Sequence, residues 1–492
     1  MKDDNKRGQL GRNAAIYGGA LLLPRLAAFV ALIVFSRIVE PAEYGYFALF
    51  VTSAELLNAV LFNWIRLALL RLYPEYESAG RISILRRTCL AMTGLATAVS
   101  IPVGALMALV AAPERTVAFS LLLGIMTFAN GVVRLRLAEL QAQERSLQYF
   151  GIEVSRATLS LVLSLALVEL AGSNFETLSA GFALASLGVA LVCLIPFVRE
   201  LSHLGLDRPA VKTIVSYAGP IVPITVLESL IPLTERYVIQ LVAGPAAVGI
   251  YAATQNLVQQ PINMLASAVG LAAFPIVMRS AEREGNGSAQ SRMGEVGSYL
   301  LALGLPAVAG LIMLRTEIAS VVLGEQFRGQ AAALIPWIAA TALLVNLKFH
   351  YFDLAFHVTR RLMVQVASLL PATLLTAPFI YVFLKMFGLP GAAAGSCLAF
   401  SLSVLASWLA GRRLLAIPHA LGEIARIGAS AVVMVGVLAA IGPLDGIAGL
   451  VVLVMAGGGA FAGAALAFNV LDIRPALLPY TRWLPGKAVR AS

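Results

Sequence analysis

The chain has little charge and almost no cysteine. Charged residues make up 13% of its 492 residues, whereas they make up about 25% of a soluble globular domain. Hydrophobic residues account for 59% of the sequence, and the mean hydropathy is +0.85. No soluble fold can hide so much apolar surface from water, so the composition excludes a soluble multidomain protein. It indicates an all-α protein embedded in lipid along its whole length.

Several motifs that define soluble enzymes and metal proteins are missing. Cys89, Cys193 and Cys397 lie far apart in apolar segments, which excludes a disulfide framework and a metal knuckle. The sequence contains no GxxxxGK motif followed by Ser or Thr, and every loop is short, so there is no room for a nucleotide-binding or extramembrane catalytic domain. We find no catalytic triad and no paired general acid and base. The chain is therefore not predicted to be an enzyme or an ATP-driven pump.

The positive net charge does not indicate a nucleic-acid partner. The 36 lysines and arginines exceed the 26 acidic residues by ten, but they lie in short loops between apolar runs and form no basic patch on a soluble face. This distribution is typical of the positive-inside rule for membrane proteins. The charged N-terminus MKDDNKRGQLGR is followed by no cleavage site, so the first apolar run is expected to be a retained helix.

Fourteen apolar windows are long enough to cross about 30 Å of hydrocarbon, which requires roughly 20 helical residues. A count of twelve is the alternative, because the fourth, tenth and thirteenth windows are short. The windows are 13–36, 45–70, 88–111, 117–133, 148–171, 178–198, 214–242, 248–278, 293–314, 331–347, 362–387, 392–410, 427–441 and 447–470.

The loops predict the orientation of these spans. If the N-terminus is cytoplasmic, the inside segments hold 25 basic residues and the outside loops hold 5. Because basic residues concentrate on the cytoplasmic side, both termini are predicted to be cytoplasmic. The expected location is the cytoplasmic (inner) membrane.

An internal repeat organises the chain. The sequence PAEYGYFA at residues 41–48 recurs as PAAVGIYA at residues 245–252, after the first and the seventh span. An even number of spans between the copies predicts two similarly oriented six-helix lobes in a parallel repeat. The predicted organisation is an N-lobe at 1–205, a C-lobe at 206–413, and two additional spans with a cytoplasmic tail at 414–492.

Six basic residues fall within or at the ends of spans. A buried charge costs several kcal/mol at the bilayer centre, so each is expected to face a wet cavity or a partner. Arg25 follows Pro24 and lies near the middle of its span. The six residues are Arg25, Arg66, Arg134, Arg156, Arg236 and Lys348. Arg66 and Arg134 lie closer to span ends, where snorkelling is an equal alternative.

Polar residues at helical spacing predict the lining of a central cavity between the lobes. Glu55, Asn58 and Arg66 share one face of the second span, and Glu153 and Arg156 are three residues apart. Hydrogen bonds between helices are the alternative explanation, above all for the Gln and Asn residues. The candidate substrate-binding residues are Arg25, Glu55, Asn58, Arg66, Arg156, Glu228, Glu235, Gln255, Gln259 and Asn263.

Three possible metal ligands follow the end of the tenth span. His350, Asp353 and His357 share one helical face, and imidazole and carboxylate are common metal ligands. Their position at a helix end beside Lys348 and Arg360 favours an interfacial helix instead. No metal and no cofactor are predicted.

The sequence resembles polysaccharide-transport proteins of the oligosaccharide-flippase type. The residues that carry the resemblance are NAAIYGGALLLPRLAAFVALIVFSRIVEPAEYGYFAL near the start and TERYVIQLVAGPAAVGIYAATQNL in the middle. This family belongs to the superfamily that also holds multidrug extrusion proteins and lipid II flippases. The resemblance covers nearly the whole chain through loose motifs. It implies two six-helix lobes arranged as a V around a cavity, with alternating access.

The resemblance also implies a substrate. The expected function is movement of polyprenyl-diphosphate-linked oligosaccharide repeat units, carried on undecaprenyl diphosphate, from the cytoplasmic to the outer leaflet, for O-antigen, capsule or exopolysaccharide synthesis. The alternatives are a cation-coupled multidrug extruder, a lipid II-type flippase and a membrane-embedded polysaccharide polymerase or ligase. Expected partners are membrane lipids, a coupling ion (proton or sodium), and the polysaccharide polymerase and export machinery.

Overall fold

The structure, a computed structural model, describes residues 2–202, 205–219, 222–415 and 421–473. The predicted cytoplasmic tail from residue 474 onward lies outside the described residues. The described part contains helices and connecting turns, with no strand. The α-helices are α1 (Lys2–Ile38), α2 (Pro41–Leu61), α3 (Asn63–Ser78), α4 (Ile82–Ala111), α5 (Thr116–Ala142), α6 (Ser146–Ala171), α7 (Phe175–Leu194), α8 (Val198–Leu201), α9 (Arg208–Ala218), α10 (Val222–Arg283), α11 (Asn286–Met313), α12 (Arg315–Val322), α13 (Glu325–Leu347), α14 (Leu354–Val358), α15 (Leu362–Leu414), α16 (Leu421–Ile441) and α17 (Gly446–Ala467).

The chain is a multi-pass membrane protein. Within the described residues, 12 helices are long and apolar enough to cross a membrane. Two of them greatly exceed one crossing: α10 has 62 residues and α15 has 53, whereas about 20 residues span the hydrocarbon core. Gly244 interrupts α10 with φ 81°, and Gly388 interrupts α15 with φ 66°, a backbone conformation that glycine adopts readily. Each long helix therefore has the length and the break for two crossings, and the count of fourteen stays a prediction.

The second predicted span is not one continuous helix. It divides at Phe62, which has φ −120° and ψ −30° between α2 and α3. The Phe62 ring packs so closely on Gly131 that a Cβ there would lie 2.6 Å from the ring. The predicted single face for Glu55, Asn58 and Arg66 therefore does not continue across the whole span, because the helical register is interrupted before Arg66.

The two copies of the repeat meet at their glycines. A Cβ on Gly45 would lie 1.9 Å from the carbonyl oxygen of Pro245, and a Cβ on Gly249 would lie 1.9 Å from that of Pro41. Residues 41 and 45 match 245 and 249 at a constant offset of 204 positions. The contact is therefore reciprocal, and each copy supplies the glycine that lets the other backbone approach.

The chain divides into two compact units. The first contains residues 1–260, 323–331 and 369–399, and the second contains 261–322, 332–368 and 400–492. In the first unit, α5 and α6 pack against α7 and α1 packs against α6. In the second unit, α16 packs against α17 and α11. The predicted division at 205 and 413 rests on the repeat and stays a prediction.

A fully buried ion pair lies at the centre of the second unit. Residues Lys348–Phe352 form a π-helical turn after α13. Lys348 Nζ donates to Asp353 Oδ2 at 2.8 Å and to Ser368 Oγ at 3.1 Å, and the Ser407 hydroxyl donates to Asp353 Oδ1 at 2.8 Å. Lys348 and Asp353 are both 0% exposed. The charges of Lys348 and Asp353 are therefore compensated inside the protein, and the expected interfacial position of this segment stays a prediction.

Removing one partner of this pair is expected to destabilise the protein strongly. Asp353→Ala leaves the Lys348 ammonium buried without its counter-ion, which costs about 3–5 kcal/mol. The double variant Lys348→Met with Asp353→Leu removes both charges and is expected to recover most of that loss. Thermal unfolding in detergent measures both variants. The exposed pair Arg292–Glu295 provides the control, because breaking it should cost less than about 1 kcal/mol.

Unchanged thermal unfolding of Asp353→Ala would contradict this account of the pair. Failure of the double variant to exceed Asp353→Ala would show that the carboxylate has a role other than charge compensation.

Candidate functional site

Five helices of the first unit enclose a polar cavity of about 320 Å³. Helix α1 contributes the small residues Ala27, Ala28 and Ala31 beside Pro24, which leave room for the polar groups opposite. The polar lining comes from α2, α5, α6 and α7, and consists of Glu55, Asn58, Asn130, Arg134, Arg156, Ser160 and Ser186. The cavity therefore combines cations with amide and hydroxyl groups.

The cations in this cavity are compensated unequally. Arg156 donates to Glu153 Oε2 at 2.9 Å and to Asn130 Oδ1 at 3.2 Å, so its charge is paired within α6. Arg134 forms no hydrogen bond or ion pair with any residue that the structure describes. Glu55 likewise has no described hydrogen-bond partner, although it lines the same cavity. Among the lining residues, Arg134 and Arg156 exceed the carboxylate Glu55 by one positive charge, which favours an anionic ligand.

Two buried polar atoms beside the cavity have unused hydrogen-bonding capacity. Asn58 is 3% exposed, and its Oδ1 has no described partner. The Nε of Arg156 is also buried without one. A buried polar group without a partner is costly, so these atoms mark positions where a ligand or water would supply the missing hydrogen bond.

Glu235 and Gln255, two of the predicted residues of the seventh and eighth spans, belong to a separate buried cluster. Gln255 Nε2 donates to Glu235 Oε2 at 2.8 Å, and Arg236 donates to Gln255 Oε1 at 3.2 Å. Ser396 also donates to Glu235, and Arg236 also donates to Thr52 of α2. Glu235 is 2% exposed. Glu235 and Gln255 hydrogen-bond one another and are not among the residues that line the cavity described above.

The other predicted residues lie apart from the cavity. Arg25 is half-buried next to Pro24 and is not among the lining residues; it forms no ion pair or hydrogen bond with a described residue. Arg66 Nε donates to Asn63 Oδ1 at 3.1 Å within α3. Asn263, in the second unit, accepts a hydrogen bond of 2.7 Å from Asn346. Glu228 is exposed and Gln259 is half-buried.

Sequence reasoning did not select Asn130, Arg134 and Ser186 for the site. For Arg134, a charge near the end of a span, the sequence leaves snorkelling as an equal alternative. Asn130 and Arg134 are four residues apart on α5, at the spacing that places two residues on one helical face. This four-residue spacing is the feature of the sequence that could have identified Asn130 and Arg134. Ser186 has no such feature, because a single serine in an apolar helix is common.

Solved structures with the same fold are membrane transporters. A structure described as the lipid II flippase MurJ in an inward closed conformation matches with a TM-score of 0.76 at 12% identity, over 92% of this chain and 98% of that chain. An inward-facing multidrug resistance MATE family transporter of the MOP superfamily matches with a TM-score of 0.67 at 14% identity, over 84% of this chain and 98% of that one. These likenesses show the fold.

The family is shown by the sequence itself. The family model described as "Polysaccharide biosynthesis protein" matches residues 34–332, and the chain belongs to that family. No curated protein sequence matches it. The expected resemblance to polysaccharide-transport proteins and the expected all-helical transporter fold are thereby confirmed.

Proposed function

We propose that this protein is a flippase that moves polyprenyl-diphosphate-linked oligosaccharide repeat units across the membrane by alternating access. The main support for this proposal is the cavity of the first unit. There Arg134 has no hydrogen-bond or ion-pair partner among the described residues, and amides and hydroxyls line the wall. Guanidinium groups match phosphate oxygens, and amides and hydroxyls match sugars. Membership of a polysaccharide biosynthesis family and the fold shared with a lipid II flippase support the same substrate class.

The charge balance of the cavity argues against the main alternative. A cation-coupled multidrug extruder is expected to place carboxylates where its cationic drugs bind. In this cavity, by contrast, the carboxylate of Glu55 is accompanied by two arginines, Arg134 and Arg156. A lipid II-type flippase would share the diphosphate chemistry and differ only in its sugars. A polymerase or ligase would need catalytic residues in a large outside loop, and the loops are short.

The proposal places the protein in the cytoplasmic membrane with both termini inside, on the basis of the distribution of basic residues. The proposed substrate carrier is undecaprenyl diphosphate, with a proton or sodium ion for coupling. A polysaccharide polymerase and export machinery would take up the product.

Deletion of the gene provides the first test. Undecaprenyl-linked repeat units should then accumulate on the cytoplasmic leaflet while surface polysaccharide is lost, because synthesis continues without translocation. A complemented strain is the control. Accumulation on the outer leaflet would instead place the block after translocation, and would contradict a flippase.

The charge of Arg25 is expected to be required for export. Its guanidinium lies within a span without a described partner, a costly position that an anionic substrate would compensate. Arg25→Gln should lower the export rate by about tenfold or more, the effect of losing a charge-assisted hydrogen bond. Arg25→Lys, which retains the charge, should keep part of the rate. The measurement is export at equal protein abundance, and an unchanged rate for Arg25→Gln would show that the charge of Arg25 is not used in export.

A further inference from the structure

A second depression in the first unit is lined by residues of α5, α6 and α7 that do not line the polar cavity. This lateral groove has a volume of about 620 Å³ and runs along α6 from Gln148 to Leu159 and along α7 past Gly188 and Val192. Arg136 of α5 lines one end. Leu159 and Val192 are 42% and 65% exposed, so the groove is open to the surroundings of a membrane-spanning helix bundle.

Glycines create the space inside the groove. No heavy atom lies within 4 Å of the position that a Cβ would take on Gly151 or on Gly188. The eleven helical steps from Gln148 to Leu159 rise by about 16 Å, which is roughly half of the ~30 Å hydrocarbon core. The length of the groove along α6 therefore matches the thickness of one leaflet, which is the length of a single lipid.

The polar end of the groove carries an oriented cation. Arg136 Nη1 donates to Glu139 Oε2 at 2.7 Å, and Glu139, which is 0% exposed, also accepts from Arg86. Arg136 is therefore held in place. The Nε and Nη2 nitrogens of Arg136 donate to no described residue, and neither is a buried atom that lacks a hydrogen bond. Both nitrogens can therefore donate to a ligand in the groove.

Charge at this end is positive overall. Arg145 precedes Gln148 by three residues and Arg199 follows Pro196 by three, and neither forms an ion pair with a described residue. Of the charged residues counted here, Arg136 lines the groove, and the others are connected to it by ion pairs or lie next to lining residues in the sequence. Together they are four arginines and three carboxylates, namely Arg86, Arg136, Arg145, Arg199, Glu139, Glu144 and Glu200. An anionic headgroup complements this excess, and an apolar chain complements the walls.

We propose that the lateral groove is a binding site for an anionic glycerophospholipid of the adjacent leaflet. The phosphate accepts hydrogen bonds from Arg136 and Gln148, and one acyl chain lies along Gly151 and Gly188 toward Leu159. This site is separate from the polar cavity, and it does not depend on the identity of the transported substrate.

Photo-crosslinking on the full-length protein in detergent tests the proposal. The probe is phosphatidylglycerol with a photoactivatable acyl chain, compared with phosphatidylcholine carrying the same chain. Wild type should give crosslinked peptides from residues 148–159 and 188–196, with phosphatidylglycerol favoured about tenfold, the ratio expected for one charge-assisted contact. Equal crosslinking of both lipids in wild type would overturn the anionic site.

Matched variants separate the two halves of the site. Gly188→Leu fills the groove and should lower crosslinking at least tenfold, whereas Gly436→Leu, at another glycine with open space around it, should leave crosslinking unchanged. Arg136→Gln should abolish the preference for phosphatidylglycerol, and Arg292→Gln, whose arginine also pairs with a glutamate three residues later, should not. Undiminished crosslinking in Gly188→Leu would overturn the groove as the site, even if Arg136→Gln fails to fold.

Discussion

Arg134→Gln is expected to lower the export rate by about 10- to 100-fold, the cost of losing a hydrogen bond to a charged group. Arg134 lines the polar cavity and forms no hydrogen bond or ion pair with a described residue, so its N–H groups are available to the substrate. Arg134→Lys should retain part of the rate, because it keeps the charge and loses the planar fork that matches phosphate. The measurement is the amount of surface polysaccharide exported per unit time at equal protein abundance.

The control for Arg134 is an arginine outside the cavity. Arg426 is exposed and pairs with Glu423 on α16, so Arg426→Gln should export at the wild-type rate. Wild-type export by an abundant Arg134→Gln protein would contradict an anionic ligand in this cavity. Loss of abundance together with export would assign Arg134 to folding instead.

Replacing both repeat glycines is expected to cause the second large effect. In Gly45→Ala with Gly249→Ala, each new Cβ would lie 1.9 Å from a backbone carbonyl oxygen of the other repeat. A backbone atom cannot move aside as a flexible side chain does, so the crossing must open. Overpacking of this kind costs about 1–3 kcal/mol per site. We expect a lower midpoint of thermal unfolding and nearly complete loss of export.

Gly436→Ala is the control for this pair, because open space surrounds that position. It should match wild type in unfolding and in export. If the double glycine variant also matches wild type in both measurements, the close crossing of the two repeats is not required by the protein.

The sequence predicted the fold better than the site. Apolar windows and basic loops report on the bilayer, which acts on each span independently, and the repeat at Gly45 and Gly249 reports a contact that both copies must satisfy. The helix break at Phe62 was not predictable, because it depends on a tertiary contact between its ring and Gly131.

Helical spacing identified the polar residues, but it could not show whether each side chain faces a cavity or a neighbouring helix. Glu55, Asn58 and Arg156 do share a cavity, and Glu153, three residues before Arg156, pairs with it at 2.9 Å. Glu235 and Gln255 satisfy one another in a closed cluster. Both arrangements give the same periodicity in sequence, so only the packing of neighbouring helices distinguishes a cavity lining from an interhelical hydrogen bond.

The central claim is translocation of a lipid-linked oligosaccharide, and reconstitution into liposomes tests it most directly. Purified protein is inserted into vesicles that contain polyprenyl-diphosphate-linked oligosaccharide in both leaflets, and a membrane-impermeant glycosidase is added outside. Without protein, only the outer-leaflet glycans should be cleaved. With wild-type protein, cleavage should continue into the inner-leaflet pool, and with Arg134→Gln it should stop near the protein-free level. Cleavage by wild type that never exceeds that of protein-free vesicles, with or without a proton or sodium gradient, would contradict the account.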